Sequence, residues 1–237
     1  VQIAMKQTEA ARKTLQEALG MKPDLIEAQL MLGDLEIQSA RYDEAHIIAK
    51  QIQQKKPDAP AGLVLEGDTA LARKQYPAAL AAFERAHKLS PSPATLIRLH
   101  QALAGAGRFE EGEKKLAAWL VSHPQDRGTR LYLAEHLIAR GVFKAASEHY
   151  LLLNQQAPGS LVVLNNLAWA LSELKDSRAL SYAEQALKLQ PNNPNILDTY
   201  GWLLTQSGQP AKGLDHLRRA VSQAPDAAEI RWHLAAT

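Results

Sequence analysis

Three tryptophans toward the end of the chain, Trp169, Trp202 and Trp232, stand among amide, acid and hydroxyl residues: Asn165, Asn166, Asp198 and Thr199. An indole offers a large apolar face with one polar handle, and such residues dominate binding hot spots. The chemistry of that set is recognition. Catalytic signatures are missing: there is no His-Glu-x-x-His, no Gly-x-Ser-x-Gly, no phosphate loop and no Gly-x-Gly-x-x-Gly. With no cysteine, disulfides, thiolate zinc sites and cysteine nucleophiles all drop out. The eight histidines are scattered, with no i,i+4 pair to hold a metal. The residues therefore point to a binding protein that is not an enzyme and needs no metal or cofactor.

Bulk composition narrows the partner. Lys and Arg total 27 against 25 for Asp and Glu, so a net charge of +2 makes no electrostatic case for nucleic acid. A membrane span needs about 18 or more apolar residues in a row. The stretch around Leu161–Leu171 is broken by Asn165 and Asn166, so no span is expected. At 46% hydrophobic and 5% aromatic, the composition is that of Ala/Leu-rich helices. The chain opens on Val1 and stops inside a helical pattern at Thr237, which reads as a piece of a longer protein.

The elements that position these residues are announced by prolines. Pro23, Pro57, Pro91, Pro124, Pro158, Pro191 and Pro225 follow one another at intervals of 34, 34, 33, 34, 33 and 34 residues. Such a period marks an array of helical hairpins, none of which can bury its apolar face alone. With each proline set at or next to position 32 of a unit, position 20 reads Ala11, Ala45, Ala79, Gly112, Ala146, Ala179 and Gly213. Position 8 is small in all units but one, where it is His100, and position 17 reads Tyr42, Tyr76, Phe109 and Phe143 in the first four full units. The remaining prolines fit: Pro60, Pro93 and Pro194 fall in the first turn of a first helix, where the missing N–H costs nothing. Ser92 and Asn193 read as N-caps, and Asp226 with Glu229 has capping-box spacing. Two units are one residue short, one in the linker Pro91-Ser92-Pro93 and one in the turn near Lys175–Ser177.

This small–aromatic–small–proline pattern resembles the tetratricopeptide repeat, whose period is 34 residues. The likeness covers the whole chain: a lone second helix at 5–22, full repeats at 26–59, 60–92, 93–126, 127–160, 161–193 and 194–227, and a lone first helix at 228–237. It implies an all-α fold, a single right-handed superhelical solenoid of antiparallel helix pairs. Departures are the missing tryptophan at position 4 and His100 at a Gly/Ala site, so the unit from Pro93 is expected to pack less closely. The runs Val163–Trp169, Arg178–Glu184, Ile196–Trp202 and Pro225–Leu234 look like the C-terminal repeats of Gram-negative envelope repeat proteins, in particular the PEP-CTERM-system tetratricopeptide lipoprotein. That likeness implies a scaffold for surface-protein sorting or exopolysaccharide export, periplasmic or attached to the outer membrane, and leaves the cytoplasm open. It also allows a lipid anchor outside these residues.

In tetratricopeptide arrays, positions 2, 5, 9 and 12 of the first helix line a concave groove. That stripe and the neighbouring position 6 supply the partner-binding candidates Asn165, Asn166, Trp169, Asp198, Thr199, Trp202 and Trp232, which would hold a protein or peptide. The alternative is that the tryptophans fill the inner wall of a tightly wound superhelix. A secondary groove set is Asp34, Asp68, Arg98, Gln101 and Glu135, either a solvated face or a site for basic peptide. Two specialised chemistries are absent: the carboxylate clamp lacks its Lys and Asn pair, and an Asn ladder at position 6 would have only Asn166. Two further readings remain, a substrate-recruiting arm of a larger enzyme and an array that self-associates into a homo-oligomer.

Overall fold

The computed structural model describes residues 2–237, with side chains from Gln7 onward, and among these lie fourteen α-helices and no strand. The chain divides into two compact units that meet at Ser122 and His123. The first holds α1 (Gln2–Met21), α2 (Ile26–Gln38), α3 (Tyr42–Lys55), α4 (Ala61–Ala72), α5 (Tyr76–Leu89), α6 (Pro93–Gly105) and α7 (Phe109–Ser122). The second holds α8 (Arg127–Ala139), α9 (Phe143–Gln156), α10 (Leu161–Glu173), α11 (Ala179–Leu189), α12 (Pro194–Gln206), α13 (Pro210–Gln223) and α14 (Ala228–Ala236). Even-numbered helices are the first, or A, helix of each pair; odd-numbered ones are B.

Two local devices cut the chain into pairs. Every A helix from α2 to α12 ends on a left-handed residue at the same register: Ala40, Lys74, Gly107, Gly141, Lys175 and Gly208. The following N–H then reaches back to the carbonyl five residues earlier, as from Arg41 to Glu36 at 2.8 Å and from Val142 to Leu137 at 2.8 Å. This is the Schellman ending, which satisfies carbonyls the helix leaves open. B helices end differently. Lys56, Ser90, Ala157, Gln190 and Ala224 cap them with φ between −135° and −147°, and each precedes a periodic proline. The proline ring disfavours helical backbone in the residue before it, so the extended stop is built into the repeat.

Within each unit every A helix touches the next A helix, while among the described residues no B-helix backbone comes within 8 Å of another, Cα to Cα. Each unit therefore curves with its A helices on the inner wall. Small residues make the A–B contact possible. A Cβ placed on Gly213 would lie 2.5 Å from the carbonyl oxygen of Gly201, so α12 and α13 meet backbone to backbone.

The structure corrects several expectations. His100 does not loosen its repeat: it is 1% exposed, and its ring occupies the space a Cβ on Gly112 would need, at 2.7 Å. The bulk at position 8 is offset by the missing methyl at position 20 of the same repeat. Ser92 and Asn193 cap α6 and α12 as expected, but Asp226 does not cap α14, which starts one residue later behind Ala227. Asp126 caps α8 instead, accepting from the Thr129 N–H at 3.0 Å. Trp119 is half-buried, with its ring edge-on to His87 at 6.1 Å. The short turn does fall after α10, and it leaves α11 with 11 residues where the other B helices of full repeats have 14.

Candidate functional site

Helix α10 buries Val163, Leu164, Leu167, Ala168 and Leu171 against its neighbours. Helical spacing then turns Asn165, Asn166 and Trp169 to the opposite side, toward the inner wall. Asp198 and Thr199 come from α12, and His233 from α14. Side chains from these three helices line one cavity of about 490 Å³, and Asn195 and Glu229 stand at its rim. Five of the seven partner-binding candidates thus converge: Asn165, Asn166, Trp169, Asp198 and Thr199.

Their roles are unequal. Asn166 donates from Nδ2 to the Tyr150 hydroxyl at 3.1 Å, tying α10 to α9, and burial pushes that hydroxyl's pKa up to about 12. Asp198 and Thr199 are almost wholly buried. The Asp198 carboxylate accepts from His233 Nδ1, 2.9 Å from each oxygen. A carboxylate can only accept, so the imidazole proton must sit on Nδ1. Asn165 Oδ1 is buried with no hydrogen-bond partner among the described residues.

Trp202 and Trp232 do not line the cavity; they pack around the same histidine. The Trp202 ring stacks on His233 at 4.6 Å, and Trp232 lies 5.4 Å from Trp202. Trp169 approaches His233 at 6.1 Å from the cavity side. Trp169 and Trp202 are half-buried, while Trp232 is 59% exposed. The two readings of the tryptophan row therefore divide between residues: Trp202 packs in the wall, Trp169 faces the cavity and Trp232 faces solvent. His233, the hub, was missed in the sequence. Its signal was weak, a single histidine at position 6 with its partner 35 residues away.

The secondary set splits between the units. In the first, Arg98 donates from Nε to Asp68 Oδ2 at 3.0 Å, joining α6 to α4, and Asp34 and Gln101 are exposed. Glu135 is exposed on α8 in the second unit. Burial pushes the Asp68 carboxyl up to about 6 despite Arg98, and partial desolvation by its neighbours raises the more exposed Asp34. With a folded pKa above the unfolded value of about 3.9, the folded state holds an extra proton between roughly pH 4 and 6, and stability falls as pH rises through that window. Asp68→Asn should flatten this slope, by ~2 kcal/mol across the window. Urea midpoints of the two proteins at pH 4.5 and pH 7 would show it; parallel profiles would mean Asp68 is not desolvated.

Among the described residues no group of three or more His, Cys, Asp or Glu side chains could hold a metal, and no helix is long and apolar enough to cross a membrane. The stacked helix pairs make this an all-α repeat fold of the tetratricopeptide type. Tetratricopeptide repeat family models match residues 2–64 and residues 194–237, so the chain carries such repeats at both ends.

Among curated proteins, the TPR repeat-containing protein PA4667 of Pseudomonas aeruginosa is 26% identical over 242 residues, covering 98% of this chain and 34% of that protein. Human protein O-mannosyl-transferase TMTC1 is 27% identical over 168 residues, covering 69% of this chain and 18% of that protein. The chain thus spans about a third of the first relative and under a fifth of the second. Among solved structures, a tetratricopeptide repeat protein from Parabacteroides merdae aligns over 98% of this chain and 93% of its own at a TM-score of 0.60 and 14% identity. MamA from Desulfovibrio magneticus aligns over 68% of this chain and 93% of its own at 0.58 and 15%. YrrB, described as a tetratricopeptide protein with an unusual peptide-binding site, aligns over 77% and 95% at 0.52 and 15%. These likenesses establish the fold.

Proposed function

We propose that this chain is a non-catalytic scaffold that holds an extended segment of a partner protein on the inner wall of its second unit. The observation that carries the proposal is the convergence of Asn165, Asn166, Trp169, Asp198 and Thr199, from separate A helices, on one cavity. An indole face beside amide and hydroxyl groups suits a peptide, whose side chains need apolar cover and whose backbone needs donors and acceptors. The finer reading places the scaffold in a bacterial envelope assembly for surface-protein sorting or exopolysaccharide export. What supports that placement is the likeness of the Trp/Asn-rich runs to envelope repeat proteins, together with a bacterial relative matched along 98% of this chain.

Peptides selected on the immobilised chain from a displayed random library supply the test. Trp169→Ala should weaken the selected peptides at least about 30-fold, the loss of a hot-spot side chain. Unchanged affinity in a folded variant would remove the cavity from the binding surface. A second reading, a recruiting arm of a larger enzyme, is favoured by the match to TMTC1, a transferase of which the likeness covers only 18%. The sequence of the whole protein decides that alternative.

A further inference from the structure

The shortened α11 leaves a mark on the surface away from the inner wall. In the first four repeats the residue at position 17, Tyr42, Tyr76, Phe109 or Phe143, opens helix B and is half-buried. Where the neighbours are seen, this ring fills the corner between its own A–B turn and the end of the next A helix. Arg73, just past α4, lies over the Tyr42 ring at 5.9 Å. The Tyr76 ring lies where a Cβ on Gly105, the last residue of α6, would be, at 2.4 Å. In these two repeats the aromatic residue is a plug supplied by one repeat to the next.

The fifth repeat has no plug. Counting back three residues from Ala179, the register of the aromatic residue falls on Asp176, and the helix that should carry it has not begun. Asp176 folds back within the turn and accepts from the Arg178 N–H at 2.9 Å and from its guanidinium Nη2 at 2.8 Å. A cavity of about 530 Å³ stands in the corner. Its floor is Ala179, Leu180 and Leu203, and its rim includes Ser172, Ser177 and Gln206. Gln206 ends α12 as Gly105 ends α6, so the empty corner is the one Tyr76 fills three repeats earlier. The volume is within the range of sites that hold small ligands, about 300–1,000 Å³. Leu174, in the same turn, is 43% exposed and adds apolar surface beside the opening.

We infer that this corner is a socket for one aromatic side chain, tyrosine or phenylalanine, presented by a partner protein: the partner supplies from outside the plug that Tyr42 and Tyr76 supply from within their own repeats. The occupant is specified by the fold's own precedent, since the first four repeats carry only Tyr or Phe at this register. An apolar floor beneath a rim of hydroxyl, amide and charged groups, the last from Glu173, Lys175 and Asp176, suits a phenol, which buries its ring and keeps its O–H paired. The socket is separate from the Trp169 cavity, so a partner can engage one without the other.

The test titrates N-acetyl-tyrosinamide into the ¹⁵N-labelled chain and follows backbone amide shifts. Shifts should cluster in residues 172–180 and 203–207 with a dissociation constant on the order of 1 mM. N-acetyl-leucinamide should bind at least about fivefold more weakly. Two variants close the socket from opposite sides, Asp176→Tyr from the turn and Gln206→Trp from the end of α12, and either should abolish the shifts. Shifts centred on Trp169, equal binding of the leucine derivative, or shifts that survive in both folded variants would each overturn the inference.

Discussion

Phe83→Ala is expected to destabilise the first unit by about 3–5 kcal/mol, the cost of deleting a buried aromatic ring and leaving its cavity. Phe83 is fully buried in α5, packed with Ala79, Leu99, Ala102 and Leu103. Its ring also occupies the place of a missing side chain, because a Cβ on Gly67 would meet it at 2.4 Å. Helix α4 therefore cannot slide into the vacated space without losing its own contacts. The complementary change sharpens the test. Gly67→Ala alone should cost about 1–3 kcal/mol through overpacking, and in the Phe83→Ala background it should cost little or nothing. Urea unfolding followed by helical circular dichroism, with a double-mutant cycle over the four proteins, measures that coupling. Additive losses would mean that ring and glycine do not share one space.

His233→Ala should cost about 3 kcal/mol and release α14 from the second unit, since it strands the buried Asp198 carboxylate without its donor. The same change removes the ring on which Trp202 stacks at 4.6 Å and which Trp169 approaches at 6.1 Å. Tryptophan emission should shift to the red as indoles on α10 and α12 meet water. Asp198→Asn separates the two contributions. An amide oxygen still accepts from Nδ1, so this variant should keep α14 docked and lose about 1 kcal/mol or less. Hydrogen exchange of the α14 amides reads the docking directly: fast exchange in His233→Ala with protection retained in Asp198→Asn is expected. Equal protection in all three proteins would show that α14 is held by Ile230 and its apolar neighbours alone.

The repeat grammar was readable because it acts at short range. A proline forces the residue before it out of the helix whatever lies elsewhere in the chain, and the caps of the B helices at Lys56, Ser90, Ala157, Gln190 and Ala224 obey it. The Schellman endings were only half readable. Gly107, Gly141 and Gly208 advertise a left-handed backbone, whereas Ala40, Lys74 and Lys175 adopt it at φ of 56–58° without any compositional sign. There the alternation of helix A and helix B imposes the turn on residues that do not prefer it. His100 illustrates a similar blindness: a bulky residue at a small site looked like a defect until Gly112 was seen to make room.

The chain's own order of residues sufficed for the class of fold and for the helix face on which Trp169, Asn165 and Asp198 lie. Those properties follow from spacings of three to four residues within a helix and from a period repeated along the chain. Which of those residues meet was decided by packing in three dimensions. Asp198 finds His233 across 35 residues, and Trp202 is turned into the wall while Trp169 lines a cavity. The curvature of the A-helix wall sets those meetings, and it sums many small side-chain volumes across several helices. No single spacing in the sequence carries that sum.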